Sequence, residues 1–414
     1  MPISGTLHNP LMKNGKEATT SQANHGWSFA RLRRITTASH RYMAEVDGLR
    51  FIAIFSVILF HVYYNVAFAH EAVLAASPFS FMIWPVTHGF RGVQLFFVIS
   101  GFILGLPFAA HYLTRGPAVK VGQFYLRRLT RLEPPYILAL LLIYGAAAVM
   151  HNVHTREPGF SSGLPLRLVY AYLFVRGVPP TLDGVTWTLE IEVQFYLLAP
   201  LLAQVFKLAT IPRRLTLIAA ICGAPLLAWV VPRSDVTLLG FIHFFLAGFL
   251  LADIHCTGAG AGRLPARFFD LLGIGCLLVT LLVPERPVLK PLEPWLLCGI
   301  FIGALRGSRF TAFLRRPSIS VLGGMCYSLY LLHNPLLSFI TPKVVASGMS
   351  LPQAFLRLAV AGMPIAVGAG MAYYILIERP CMNPKWPQLA FQHVSRMIGA
   401  VPRTVAPLTK SGGK

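Results

Sequence analysis

The sequence is short of charge. Only 12% of its 414 residues are Asp, Glu, Lys or Arg, against about 25% in an average soluble domain. A soluble fold of this length needs more charge to cover its surface, so that class is excluded. Cysteine is sparse and scattered over Cys222, Cys256, Cys276, Cys298, Cys326 and Cys381, with no CxxC pair. That spacing excludes a disulfide framework and a zinc site, and leaves buried, inert thiols. There is no HExxH and no His/carboxylate set at ligand spacing, so no metal is expected. A GxSxG elbow and a Walker A loop are also missing. The polar N-terminus has no early apolar core or small-residue cleavage site, so no signal peptide is expected.

What fills the sequence instead is apolar blocks. Hydrophobic residues make up 55% of the chain, and many blocks approach the roughly 20 residues that span a bilayer. They fall at 49–69, 92–110, 135–150, 186–206, 215–231, 236–254, 268–284, 293–305, 319–341 and 353–377. A further stretch, 164–178, carries Arg167 and Arg176 between Pro165 and Pro179 and reads as a re-entrant or surface helix. The expected fold is an all-α, polytopic transmembrane bundle of about ten spans. Residues 1–44 form a basic, disordered cytoplasmic tail, 45–381 the membrane domain, and 382–414 a second cytoplasmic tail.

The net charge of +21 would point a soluble chain toward nucleic acid. Here the basic residues lie between apolar blocks, and no RNP, helix-turn-helix or zinc-finger pattern is present, so no nucleic-acid partner is expected. The charge reads as topology. With both termini in the cytoplasm and ten alternating spans, about three quarters of the 36 Lys and Arg face inward, as the positive-inside rule asks. Counting 164–178 as a span would turn the basic blocks at 207–214 and 306–316 outward. No internal repeat is evident, which disfavours inverted-repeat transporters.

Ionisable groups inside spans are costly and mark functional sites by default. Arg50 and His61 stand eleven residues apart in the first span. On a helix that is ~20° past three full turns and a rise of ~16 Å, so both share one face. A histidine takes and returns a proton near neutral pH, which suits a general base for an alcohol. The alternative is an interhelical hydrogen bond and a snorkelling arginine. Arg128 and Arg131, three apart, share a helix face and offer planar donors suited to phosphates, or are an ordinary basic flank. In Trp187-Thr188-Leu189-Glu190-Ile191-Glu192-Val193-Gln194 two acids enter an apolar helix. They point to different faces, so one common site is not expected; Glu190 suits the headgroup region, and Glu192 lies deeper. Tyr327-Ser328-Leu329-Tyr330-Leu331-Leu332-His333-Asn334 places a second histidine within a span, as packing glue or as part of a site. Gly101, after Ser100, suits close helix packing rather than a nucleophile motif.

Together these segments resemble the acyltransferase family 3 membrane O-acyltransferases. Glu45-Val46-Asp47-Gly48-Leu49-Arg50 followed by His61 is similar to that family's first helix with its Arg/Lys-x10-His signature. Phe96-Phe97-Val98-Ile99-Ser100-Gly101-Phe102 resembles its second, Arg128-x-x-Arg131 its paired arginines, and Trp187 to Glu192 with Gln194-Phe195-Tyr196 and Pro200 its Trp-Ser-Leu-x-x-Glu segment. Tyr327 to His333 and Glu378-Arg379-Pro380 resemble its last two motifs. Thr188 stands where the family usually has Ser, and Glu190 is an added acid.

The resemblance implies an enzyme that moves an acyl group, commonly acetyl, from cytoplasmic acyl-CoA to a hydroxyl of a cell-surface or lipid-linked carbohydrate. It implies a bacterial inner-membrane location and acyl-CoA as co-substrate, with no bound cofactor. His61 and Glu192 are then the catalytic candidates, Glu192 orienting His61. Arg50, Arg128 and Arg131 are the donor-binding candidates. Asp47, Tyr330 and His333 are candidates for supporting the site or meeting the acceptor. Relatives with a fused esterase-like domain imply that this chain is the standalone form, with a separate extracytoplasmic partner enzyme for any second step. The competing reading is a transporter or flippase of a lipid-linked sugar or small metabolite, without covalent chemistry.

Overall fold

A computed structural model describes residues 42–69, 80–150, 185–231, 237–259, 264–284 and 286–383, with Leu32, Ser234 and Trp386. The described residues are helical and contain no strand. The 164–178 segment and most of both tails lie outside them.

The first helix, α1 (Ala44–Ala69), carries Glu45 and Asp47 in its first turn, where acids complement the helix dipole. Val46, Leu49, Ala53, Val57 and Val62 recur at helical spacing and are all buried, so one face of α1 is committed to the interior. After a short α2 (Ser80–Thr87) comes α3 (Arg91–Thr114), which ends where Arg115 turns into the left-handed region at φ 56°.

α4 (Val121–Met150) is longer than its apolar part, because the helix begins ahead of the basic run and carries Arg127 to Arg131 within it. Pro134 and Pro135 sit inside this helix. A proline cannot donate to the carbonyl four residues back. The Thr130 carbonyl left by Pro134 is taken by the indole N–H of Trp386 at 2.9 Å, so the helix runs on through the pair.

Next come α5 (Trp187–Leu202), α6 (Thr210–Val230), α7 (Ile242–Thr257), α8 (Ala266–Leu282) and α9 (Glu293–Arg306). α10 (Arg309–Leu314) and α11 (Pro317–Gly324) are short, and α12 (Cys326–Val344) and α13 (Leu351–Tyr373) close the bundle. α13 widens into a π turn, Tyr374–Glu378, before α14 (Arg379–Cys381). Each of the ten expected segments coincides with helix. Six stretches among the described residues are long and apolar enough to cross a bilayer: Ala44–Ala67, Arg91–Thr114, Trp187–Lys207, Thr210–Val230, Val288–Arg306 and Leu351–Cys381. The expected single span 319–341 is instead two helices meeting at Met325. Gly323, near the end of α11, lets that helix approach α1 so closely that a Cβ there would run into the Asp47 carbonyl.

α3 and α7 pack backbone to backbone. A Cβ on Gly101 would collide with the Phe245 carbonyl, and one on Gly248 with the Val98 carbonyl. Small residues thus bring two backbones together, as expected for Gly101 and as lipid-embedded packing favours. Phe97, Phe195 and Phe245 stack around this seam.

The outer surface is apolar: Leu142, Leu201, Ile211, Trp229, Leu271 and Val360 are all exposed, on five different helices. Charges held inside are paired. Asp253 receives Arg213 Nε and Arg214 Nε, each at 2.6 Å. Asp270 accepts the backbone N–H groups of Ser308, Arg309 and Phe310 and so caps α10 from another helix. An apolar exterior over a paired polar interior is the arrangement of a multi-pass membrane protein.

Candidate active site

Helices α1, α3, α4, α5, α11 and α12 and the π turn line a partly open cavity of about 110 Å³. α1 contributes Arg50, α4 contributes Arg128 and Arg131, and α5 contributes Glu192 and Tyr196. α12 and the π turn add Tyr327, Tyr330 and Glu378. The three arginines expected to bind a phosphorylated donor, from two helices far apart in sequence, therefore share one chamber with Glu192.

Each group is held by its neighbours. Arg50 Nη1 donates to Asp47 Oδ1 at 2.5 Å, one turn back on α1, so Asp47 steadies the guanidinium at the wall. The Arg128 guanidinium lies 5.8 Å from the Phe124 and Tyr196 ring centres. Glu192 accepts from Ser100 Oγ on α3 at 2.5 Å and from the Tyr196 hydroxyl one turn along α5. Tyr330 donates to the Val185 carbonyl at 2.8 Å and pairs with Thr188 Oγ1 at 2.7 Å. Thr188, standing in place of the expected Ser, keeps that hydroxyl contact.

A small side chamber of about 20 Å³ opens beside the cavity, lined by Glu133, Glu190 and Glu192 with Tyr136, Tyr196 and Tyr327. Leu189, Val193 and Tyr196 form the α5 stripe facing the chamber. At ~100° per residue, Glu190 and Glu192 flank that stripe on opposite sides, so both residues line the chamber while their side chains diverge.

His61 lies three turns along α1 from Arg50, and its partner is His333 on α12. His61 Nδ1 is 3.3 Å from His333 Nε2, the rings meeting edge to face at 78° and 4.8 Å. His61 Nδ1 also faces the Val57 carbonyl at 2.9 Å. Beyond the pair, Asn65 Nδ2 donates to the His61 carbonyl at 2.8 Å, and Ser338 Oγ donates to Asn65 Oδ1 at 3.0 Å. The bonds of Glu192 go to Ser100 and Tyr196, so the residue against the His61 ring is a second imidazole and not the expected carboxylate. Tyr330 joins the two regions: it lines the cavity, and its ring centre is 5.7 Å from that of His333.

The profile of the family described as an acyltransferase domain, acyltransferase 3, matches residues 43–375. The chain belongs to this family. It is 22% identical over 366 residues to the peptidoglycan O-acetyltransferase OatA of Listeria monocytogenes, covering 79% of this chain and 54% of that protein. It is 24% identical over 407 residues to the O-acetyltransferase OatA of Staphylococcus aureus strain NCTC 8325, covering 89% and 61%. It is 28% identical over 321 residues to the exopolysaccharide production protein ExoZ of Rhizobium meliloti, covering 72% and 90%. The chain thus spans a little over half the length of the two OatA relatives. No solved structure matches it.

Sequence reasoning singled out neither Ser100, within the matched residues, nor Glu378, just past them, as a site residue. Ser100 was placed with a packing motif, and only its contact with Glu192 reveals it. Glu378 is almost fully buried, and accepts from the backbone N–H and Oγ of Ser328 at 3.1 and 2.5 Å. A carboxylate at the end of the last apolar run was its visible signal. Its place in a π turn fits the tendency of such turns to mark functional positions.

Proposed function

We propose that this protein is a membrane O-acyltransferase that moves an acyl group, most simply acetyl, from cytoplasmic acyl-CoA to a hydroxyl of a cell-surface or lipid-linked carbohydrate. The observation that carries the proposal is the shared cavity of Arg50, Arg128, Arg131 and Glu192, with His61 on the same helix as Arg50. The names of the relatives support the acceptor class: two are O-acetyltransferases, one of them for peptidoglycan, and one serves exopolysaccharide production. All are bacterial, which supports placement in the bacterial inner membrane.

The donor's phosphates meet the arginines, whose planar forks match phosphate oxygens. The pantetheine arm runs along α1 toward His61, a rise of ~16 Å. His61 takes the proton of the acceptor hydroxyl as its oxygen attacks the thioester carbonyl. A C–O bond forms, the C–S bond breaks, and the CoA thiolate takes the proton from His61. Glu192, anchored by Ser100 and Tyr196, faces the arginines and holds the electrostatic balance of the donor chamber.

The purified protein in lipid nanodiscs, given acyl-CoA and a glycan acceptor, is expected to release one free CoA thiol per ester formed. A transporter without chemistry would release none, and that result would overturn the proposal.

A further inference from the structure

The polar contacts of the two histidine rings determine where their protons sit. His333 is fully buried. Its Nδ1 lies 2.7 Å from the Tyr330 carbonyl and 3.1 Å from that of Leu329. Carbonyls only accept, so Nδ1 carries the proton. On the facing ring, His61 Nδ1 meets the Val57 carbonyl at 2.9 Å and must carry a proton by the same argument. A proton on His333 Nε2 would then set two N–H groups against each other across 3.3 Å. His333 Nε2 is therefore the acceptor, and the N–H of His61 Nδ1 is shared between it and Val57. A neutral His61 with its one ring proton at Nδ1 presents a bare lone pair at Nε2.

We infer that His333 is a positioning residue that fixes the tautomer and orientation of His61, so that Nε2 is the atom that takes the acceptor's proton. This rests on the reading of His61 as the general base. The arrangement does with an imidazole what a carboxylate does for a triad histidine. When His61 Nε2 takes the proton the ring becomes cationic, and its bond to His333 becomes charge-assisted and stronger. The two helices are braced just beyond the pair, where Asn65 of α1 holds Ser338 of α12 at 3.0 Å. The register that brings the rings together is thereby fixed.

The test compares His61→Ala, His333→Leu and His333→Gln in nanodiscs. kcat and KM for acetyl-CoA would be measured alongside ¹⁵N NMR of histidine-labelled protein, the His61 signals being those missing in His61→Ala. His333→Leu, which has no acceptor, is expected to lower kcat about 10²-fold with KM within about twofold. His333→Gln, which offers an amide oxygen to His61, is expected to recover about tenfold of that loss. The wild-type spectrum is expected to show His61 protonated at Nδ1 and bare at Nε2, and His333→Leu a mixture of tautomers. Wild-type kcat in His333→Leu, or a proton on His61 Nε2 in the wild type, would overturn the inference while an inactive His61→Ala left the base role standing. Full activity in His61→Ala would overturn both.

Discussion

Ser100 on α3 and Glu192 on α5 are joined by a 2.5 Å hydrogen bond, Oγ to Oε1, at the wall of the cavity that also holds Arg50, Arg128 and Arg131. The bond fixes the carboxylate opposite the arginines. Ser100→Ala is expected to lower acyl transfer about tenfold, the scale of one hydrogen bond to a charged group. Glu192→Gln, which removes the charge itself, is expected to cost about 10²-fold. Steady-state kinetics on nanodisc protein checks both; equal, wild-type rates would remove this contact from the account.

Arg128→Gln and Arg131→Gln are each expected to raise KM for acyl-CoA about tenfold with kcat nearly unchanged, since binding to a remote phosphate contributes equally to ground and transition states. Arg128→Lys is expected to recover only part of the loss, because an ammonium lacks the planar fork. Isothermal titration with a non-hydrolysable acyl-CoA analogue reads the same effect as a direct loss of affinity.

The α3–α7 seam makes a prediction about stability. Gly101→Leu and Gly248→Leu place side chains where the Phe245 and Val98 carbonyls lie, so both are expected to lower the melting temperature in detergent sharply or to abolish expression. A Cβ on Gly275 of α8 meets open space. Gly275→Ala is therefore expected to stabilise its helix by about 0.5–1 kcal/mol. Differential scanning fluorimetry separates the two cases.

Asp253 is fully buried between Arg213 and Arg214. Asp253→Ala leaves a buried Arg213 uncompensated and is expected to destabilise by about 3 kcal/mol. Arg213→Met with Asp253→Leu is expected to restore most of that loss, because it removes both charges together. Thermal unfolding of the two variants decides.

Features set by local periodicity were legible before the structure. The Arg50–His61 face of α1, the Arg128–Arg131 pair and the packing role of Gly101 follow from 3.6 residues per turn and from the small size of glycine. Features set by contacts across the chain were not. The pairing of His61 with His333 spans 272 positions, and spacing within either helix says nothing about it. Ser100 looked like part of a packing motif until α5 was placed beside α3. The break at Met325 falls inside one apolar run, and the chamber that Glu190 and Glu192 both line depends on which α5 stripe faces α4. The ten expected apolar segments fall on helix because hydropathy is a one-dimensional signal, and six stretches among the described residues are long and apolar enough to cross a bilayer; the ends moved where polar turns such as Arg127 to Arg131 were absorbed into helix.

The central claim is tested most directly by acyl transfer from radiolabelled acetyl-CoA into glycan and lipid extracts of membranes carrying wild type or His61→Ala at equal expression. The account predicts label incorporated by the wild type and lost in His61→Ala. Equal incorporation by both would contradict it.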